Sequence, residues 1–514
     1  MNHFVLSPRL SRTALKINSQ TQMKTKYIDL IEQTYDFPQE EFKVSKSNTL
    51  EFQGIDLMQL VEKYGAPLKF TYLPKISENI QRAKLWFANA IESHKYAGKY
   101  HYCYCTKSSH FKPILDEALK NDIHIETSSA FDINIVERLK DEGKISNDTY
   151  VLCNGFKRDQ YIQNIARLIN TGHSRCIPIV DNFDEVDLLE EAVEGKINVG
   201  IRIASEEEPK FEFYTSRLGI GYKDIVPFYK RKIANNPRVD LKMLHFFINT
   251  GINDNAYYWN ELTKCLKVYS DLKRICPSLD SLNIGGGFPI KNSLAFDYDY
   301  QYMVSEIINQ VKLVCEEAQV PVPDIFTEFG SFTVGESGGA IFEVLHQKQQ
   351  NDREKWNMIN SSFITTLPDT WAINRKFIML AVNRWNDNYE RVLLGGLTCD
   401  SDDYYNSEQH TNAIYLPKFS AEKPLYIGFF HTGAYQETLG GYGGLQHCLI
   451  PQPKHILVRR DEEGALKTEV FRPQQNVEEF LQILGYDTPL NKSQELEISW
   501  KNKDNDKSIS NQIV

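Results

Sequence analysis

The 514-residue chain contains no apolar run near the ~20 residues that a bilayer-spanning helix needs. That absence excludes a helical membrane protein. It also lacks any block of basic residues: 58 Lys and Arg stand against 68 Asp and Glu, a net charge of −10. Such a balance argues against nucleic acid or an anionic membrane as the main partner. Nine cysteines are scattered without a Cys-x-x-Cys and without paired Cys/His spacing. No zinc site is therefore expected, and the thiols are read as free in a reducing compartment. There is no internal repeat. The first residues carry charge but lack the apolar core of a signal peptide, so a cytoplasmic protein is expected. Met23 offers a more conventional start, so 1–22 reads either as an extension or as a mis-called start.

What is present is ordinary for a globular protein of two or three domains. Hydrophobic residues make up 41% of the chain, and 27 Tyr and 28 Phe are enough to fill large cores and line a pocket with rings. From about residue 100 to 330, short β-rich runs alternate with amphipathic stretches. The strand candidates are "YHYCYCT" from about 101, "DIHIET" (122–127), "TYVLC" (149–153), "RCIPIV" (175–180), "INVGIRIA" (197–204), "LKMLHFFI" (241–248), "SLNIG" (281–285) and "PDIFTE" (323–328). Between them, "AFDINIVERLKDEG", "NFDEVDLLEEAVEG" and "YDYQYMVSEIINQVKLVCEEAQ" repeat apolar residues every three or four positions. Eight strands alternating with helices is the count of a parallel (β/α)8 barrel, an α/β TIM-like fold.

After about 335 the pattern changes. "AIFEVL", "KFIMLAV", "RVLLGGL", "NAIYL", "LYIGFF" and "HILVRR" are short strands separated by turns, which predicts a mostly β second domain. The expected organisation is an N-terminal arm over 1–44, a segment at 45–75 that adds a strand to the β domain, a barrel over 76–335, a β-rich domain over 336–490 and a disordered polar tail over 491–514.

In such a barrel, ligands bind at the C-terminal ends of the strands, and phosphate commonly sits after strands seven and eight. "LNIGGGFPI" (282–290) places Gly285, Gly286 and Gly287 after the seventh strand. A plain βα turn would explain them, but on this rim bare backbone N–H groups also suit an anion. Lys107, in "YCTKSSHF", ends strand one, and Glu328, in "FTEFGS", ends strand eight. Desolvation at the barrel mouth is expected to lower the Lys107 pKa and give a usable amine. A phosphate site, a lysine and a carboxylate around one cavity suit pyridoxal phosphate: the lysine forms a Schiff base, and the carboxylate keeps the pyridine nitrogen protonated.

These residues resemble the fold-type III pyridoxal-phosphate decarboxylases, the group of ornithine, diaminopimelate and arginine decarboxylases, from about 60 to 485. "CNGFKRDQYI" (153–162), "LHFFINTG" (244–251), "TTLPDTWAI" (365–373), "GLTCDSDD" (396–403) and "TGAYQETLG" (432–440) resemble the biosynthetic arginine decarboxylase branch. The resemblance implies Lys107 as the Schiff-base lysine and Glu328 as the partner of the pyridine nitrogen. It implies the three glycines and Tyr435 as phosphate ligands, and Glu126 and Arg202 as a network beside the cofactor. For that pair, a structural ion pair is an equal alternative. Cys399 and Asp400 resemble the pair that reaches into a neighbouring subunit, the thiol protonating the substrate carbon and the aspartate binding a distal cation. The implied assembly is a homodimer or higher homo-oligomer with composite sites. Without the resemblance, Cys399 reads as a structural thiol. Asp369, Asp402 and Asp403 are further candidates for a guanidinium, although Asp369 could equally cap a turn. The family resemblance also allows Mg2+; no metal-ligating residues are assigned.

The chain departs from the family pattern in four places. Ser331 stands where an arginine usually contacts the phosphate, and Phe247 stands where a histidine usually stacks on the cofactor ring. His431 replaces an aspartate, and the helical insertion of long arginine decarboxylases is missing or short. The expected activity is decarboxylation of L-arginine to agmatine, the first step of polyamine synthesis. The alternatives are decarboxylation of ornithine, lysine, diaminopimelate or a carboxylated polyamine, and an inactive regulatory homologue.

Overall fold

The computed structural model describes residues 41–206, 216–352, 354–405 and 414–486. Residues 1–40 of the expected arm and the whole expected tail lie outside these. Eight parallel strands close a barrel: β1 (Tyr100–Cys105), β2 (His124–Thr127), β3 (Val151–Cys153), β4 (Cys176–Val180), β5 (Ile197–Ala204), β6 (Val239–His245), β7 (Ser281–Asn283) and β8 (Asp324–Phe329). Neighbours pair in sequence order, and β8 closes onto β1 with Ile325 opposite Tyr100 and Phe329 opposite Tyr104. Each strand falls on one of the eight runs picked out by their β-rich composition. The fold is an α/β TIM-like barrel followed by a mostly β domain.

Period-two alternation decides what fills the barrel. Cys103, Leu152, Ile177, Ile179, Met243 and Phe326 form one buried cluster. Two residues further along the same strands, or just past their ends, come Cys105, Asn154, His245 and Glu328, so the filling turns from apolar to polar at the C-terminal rim. The outward-facing residues of these strands pack on the helices in a much larger apolar core.

From β8 the chain passes through two short turns straight into strand Gly338–Gln349. That strand pairs antiparallel with Leu425–Phe430 on one side and with Leu68–Tyr72 on the other. Leu68–Tyr72 in turn pairs parallel with Lys454–Arg460, so an N-terminal segment lies in the middle of the C-terminal sheet. A small sheet of Phe42–Val44, Leu50–Phe52 and Ile55–Asp56 packs Phe42 and Phe52 against Phe430, with ring centroids 4.9 and 5.1 Å apart. Residues 42–44 are thus strand rather than arm. The correction comes from burying Phe42, which a loose arm cannot do.

Beside this sheet, buried Glu41 lies 3.1 Å from Lys291 Nζ, 3.5 Å from His431 Nε2 and 3.9 Å from Lys75 Nζ. Here the unusual His431 finds its partner. Burial alone would raise the Glu41 carboxyl, but His431, Lys291 and Lys75 hold it at about 2. His431 is raised in turn, since Glu41 and Glu336 outweigh the burial that opposes its charge. A carboxylate depressed from about 4.5 to about 2 stabilises the fold above the unfolded value and loses that contribution as pH falls through the folded one, a span of roughly 3 kcal/mol. The raised histidine weakens the pair again as pH climbs through its folded pKa. Glu41→Gln is therefore expected to lower stability near neutral pH by an amount of that order. More than half of the gap should close by pH 3, as read by urea unfolding of both proteins; a gap of constant size would place the charge effect elsewhere.

Candidate active site

The barrel mouth opens on a cavity of about 510 Å3. Its lining brings together Lys107, Arg202, Phe247, Gly286, Gly287, Glu328, Ser331 and Tyr435 from β1, β5, β6, β7, β8 and the β domain. Lys107 stands on a single 3-10 turn, Thr106–Ser108, directly after β1. The turn is fixed from two directions. Ser108 Oγ donates to the Cys105 carbonyl at 2.7 Å, and the Tyr435 N–H donates to the Ser108 carbonyl at 2.8 Å. Tyr435 takes a left-handed conformation, φ 68°, to make that contact. Such a backbone costs a non-glycine residue roughly 1–2 kcal/mol.

Lys107 Nζ lies 3.0 Å from both carboxylate oxygens of Glu126, which is fully buried and also accepts from Asn154 Nδ2 at 2.9 Å and Cys105 Sγ at 2.8 Å. Burial works against the charged amine, yet Cys105, Glu126 and Glu328 together outweigh it and hold its pKa well above the ordinary lysine value. This corrects the expectation of a lowered pKa. Desolvation is present, but Cys105 at the end of the same strand and two carboxylates from the neighbouring strands, which strand order brings close, reverse the sign.

Glu328 accepts from Asn283 Nδ2 at 2.5 Å and from Asn154 Nδ2 at 2.9 Å, and its Oε2 is 3.4 Å from His245 Nε2. Burial would raise this carboxyl; His245, Lys107 and Asn154 hold it at about 2. Asn154 thereby joins the two carboxylates. Its loop is anchored by Lys157, whose amine is sealed in the interior on Gly155 O, Ile179 O and Glu185. Ser128, on the same rim, is set by Asp132, which accepts from the N–H groups of Ser128 and Ser129 and closes a capping box on helix Ala130–Asp141.

Backbone geometry alone already requires the glycine triplet. Gly285 has φ 69° and Gly287 φ 110°, and a Cβ on Gly286 would stand 2.3 Å from the Glu328 carbonyl oxygen. Asn283 Oδ1 accepts from the Gly285 N–H at 2.8 Å. One amide side chain therefore ties the glycine floor to Glu328. Arg202 lies over the Phe247 ring at 5.7 Å, and burial lowers its pKa. Its Nε and Asn154 Oδ1 are buried without a hydrogen-bond partner among the described residues. A polar ligand in this cavity would meet both.

The remaining candidates stand apart from this cavity within one chain. Asp369 accepts from Gln436 Nε2 at 2.8 Å and from Arg375 at 3.1 Å, so its carboxylate is engaged in its own chain. Asp403 caps the turn at Phe363 and accepts from Thr398, which makes it a structural anchor and corrects its reading as a guanidinium ligand. Asp402 lines a separate polar hollow with Thr370, Trp371, Asn374 and Tyr404. Cys399 is exposed, and Asp400 Oδ2 lies 3.6 Å from His447 Nε2. The sequence reading named neither Asn154, Asn283, His245 nor Arg217 as site residues, though all four lie at the cavity or beside it. The first three sit at strand ends, inside or next to motifs already singled out, so their rim position was the available signal.

The family described as pyridoxal-dependent decarboxylase, pyridoxal binding domain, matches residues 78–335. The chain belongs to the pyridoxal-dependent decarboxylases. Among its relatives, the biosynthetic arginine decarboxylase of Geobacter sp. (strain M21) is 21% identical and aligns over 75% of this chain and 80% of its own length. That of Bacteroides thetaiotaomicron is also 21% identical, over 80% and 83%. Among solved structures, the biosynthetic arginine decarboxylase from Campylobacter jejuni gives a TM-score of 0.72 at 18% identity, over 88% of this chain and 90% of that one. Diaminopimelate decarboxylase from M. jannaschi gives 0.72 at 18%, over 87% and 98%. Both structural likenesses establish the fold. Among the described residues of this decarboxylase, no helix is long and apolar enough to cross a membrane.

Proposed function

We propose that this decarboxylase converts L-arginine to agmatine and CO2 in the cytoplasm, with pyridoxal phosphate held in the barrel mouth. The observation that carries the chemistry is one cavity lined by a lysine amine, an ionised carboxylate and a bare glycine floor. The choice of arginine rests on the named relatives. The residues fit the cofactor. Lys107 would hold its aldehyde carbon, Glu328 would face its ring nitrogen, and Phe247 would flank the ring. Gly285, Gly286, Gly287, Ser331 and Tyr435 would surround its phosphate.

When bound, the cofactor supplies an electron sink for the pair of electrons left as the α-carboxylate departs as CO2. Glu328, ionised at any working pH, keeps a fixed negative charge where a pyridine nitrogen must stay protonated. Glu126 and Arg202 set the charge around Lys107. Cys399 gives its proton to the substrate Cα from a neighbouring subunit. The adjacent Cys448 sulfur raises the Cys399 pKa, so the thiol keeps its proton at neutral pH. Among the described residues lining the cavity of one chain, the one carboxylate is Glu328, which two amides already engage. Asp400 and Asp402 of a second copy would supply the charge for a substrate cation, which requires at least a two-fold dimer. Mg2+ has no support from the site: no group of three or more His, Cys, Asp or Glu among the described residues is arranged to hold a metal ion.

Decarboxylation of diaminopimelate is the second reading. Arg202 and Arg217 both line the cavity, and a second substrate carboxylate would suit them. Purified protein with added pyridoxal phosphate in an equimolar mixture of arginine, ornithine, lysine and diaminopimelate separates the readings by the product found in mass spectrometry. Agmatine is expected. Lysine formed at the expense of added diaminopimelate would move the assignment to the second reading, and no product would overturn both. Ser331→Arg is expected to tighten cofactor binding about tenfold, the worth of one charge-assisted hydrogen bond. Titration of cofactor absorbance measures it; an unchanged affinity would place Ser331 away from the phosphate.

A further inference from the structure

We propose that Cys399 and Cys448 form a redox modification site, a thiol pair that small-molecule disulfides convert reversibly into a Cys399–Cys448 disulfide. Seven of the nine cysteines are buried, and the two exposed ones are neighbours. Their sulfurs lie 3.5 Å apart although 49 residues separate them in the chain. Side-chain rotation has to close this gap to the roughly 2.05 Å of a disulfide.

Both backbones are already anchored. Thr398, just before Cys399, is held by Asp403, which accepts from its N–H at 3.0 Å and from its hydroxyl at 2.7 Å. The turn carrying Cys448 is closed by Leu449 N–H on the Gln446 carbonyl and Ile450 N–H on the His447 carbonyl. Asp400 and His447 make a second contact between the same two segments. The thiols are therefore held face to face by structure that does not depend on either sulfur.

A second close pair shows why exposure matters. Cys153 and Cys176 lie 3.7 Å apart, but both are buried in the barrel wall, where no small disulfide reaches them. A metal clip is the other use of paired thiols, and the described residues offer no group of three ligands to complete one.

The chemistry balances with a disulfide RSSR as oxidant. One thiol loses its proton and attacks RSSR, and RS− leaves with the bonding electron pair and takes up a proton as RSH. The second thiol then attacks the mixed disulfide and expels the other RSH. Two protein thiols are oxidised and one RSSR is reduced to two RSH. The consequence for turnover rests on the reading of Cys399 as the proton donor: a sulfur in a disulfide has no proton to give.

The test uses the full chain and its Cys448→Ser variant, each equilibrated in glutathione buffers of graded ratio, alkylated, digested and mapped by mass spectrometry. In the wild type, the peptides bearing Cys399 and Cys448 are expected to be joined, two hydrogens lighter and free of glutathione, and to separate on reduction. In Cys448→Ser, whose own untreated sample serves as its activity reference, Cys399 should instead retain a glutathione that nothing resolves. Glutathione on both wild-type cysteines without a link, or unmodified thiols throughout, overturns the proposal. Activity is read on the same samples. Loss of at least about 100-fold on linking, regained on reduction, supports the site together with the proton-donor role. A linked protein with full turnover supports the disulfide site and removes Cys399 from the chemistry instead.

Discussion

Replacing Lys107 with alanine should abolish turnover, a loss on the order of 10⁴ or more as expected for a group in covalent catalysis, and with it the visible absorption of bound pyridoxal phosphate. The expectation rests on position: among the described residues, no other lysine lines the cavity. Lys157 is close in sequence to the rim, but its amine is sealed on two carbonyls and Glu185. It cannot stand in. Alanine also leaves Glu126 buried with only Asn154 and Cys105 as donors, so some stability is lost with the amine. The double variant Lys107→Ala, Glu126→Gln separates the two effects, restoring stability without restoring turnover. The raised pKa adds a second readout. Glu126 and Glu328 keep the ligand-free amine protonated, and only the neutral amine can attack an aldehyde. Cofactor uptake by ligand-free enzyme should therefore quicken by about tenfold per pH unit below the Lys107 pKa. Uptake that ignores pH, or absorption that survives the alanine, would take the amine assignment away.

The eight barrel strands were legible because each is a short apolar run between amphipathic helices, and the period of the pattern changes at every boundary. Three strands of the β domain give little sequence signal, and Tyr404–Tyr405, at two residues, is too short to give any. Leu466–Arg472 is largely exposed and reads as polar, and Lys355–Ile359 is a mere five residues long. At the site, Lys107, Glu328 and the glycines could be placed from their rim positions. The sign of the Lys107 pKa could not. It depends on Glu126 standing one strand over at the same height, with Cys105 opposite Glu126 in the β1–β2 register. His431 looked like an unexplained departure because its partner, Glu41, lies 390 positions earlier. The amides Asn154 and Asn283 look like loop residues until the two carboxylates they serve are brought to one point.

That convergence sets the second large effect, at Glu328. Two amide N–H groups and the His245 ring face this carboxylate, and against its burial His245, Lys107 and Asn154 hold it at about 2. A carboxyl depressed this far contributes stability above its unfolded pKa near 4.5 and loses it as pH falls toward 2. The activity profile should accordingly show no limb from Glu328 between pH 5 and 8. Glu328→Gln keeps the shape and removes the charge. Its own N–H2 then turns toward two N–H2 donors, so one hydrogen bond becomes a clash and His245 loses its counter-charge. Turnover is expected to fall about 10²- to 10³-fold, the scale of removing one preorganised electrostatic partner. The Lys107 amine is untouched, so visible cofactor absorption should persist. That split distinguishes the two variants: Lys107→Ala loses colour and turnover together, whereas Glu328→Gln keeps colour and loses turnover. Near-normal turnover in Glu328→Gln would mean that the ring nitrogen needs no ionised partner here, and the two amides would then serve only to hold the rim together.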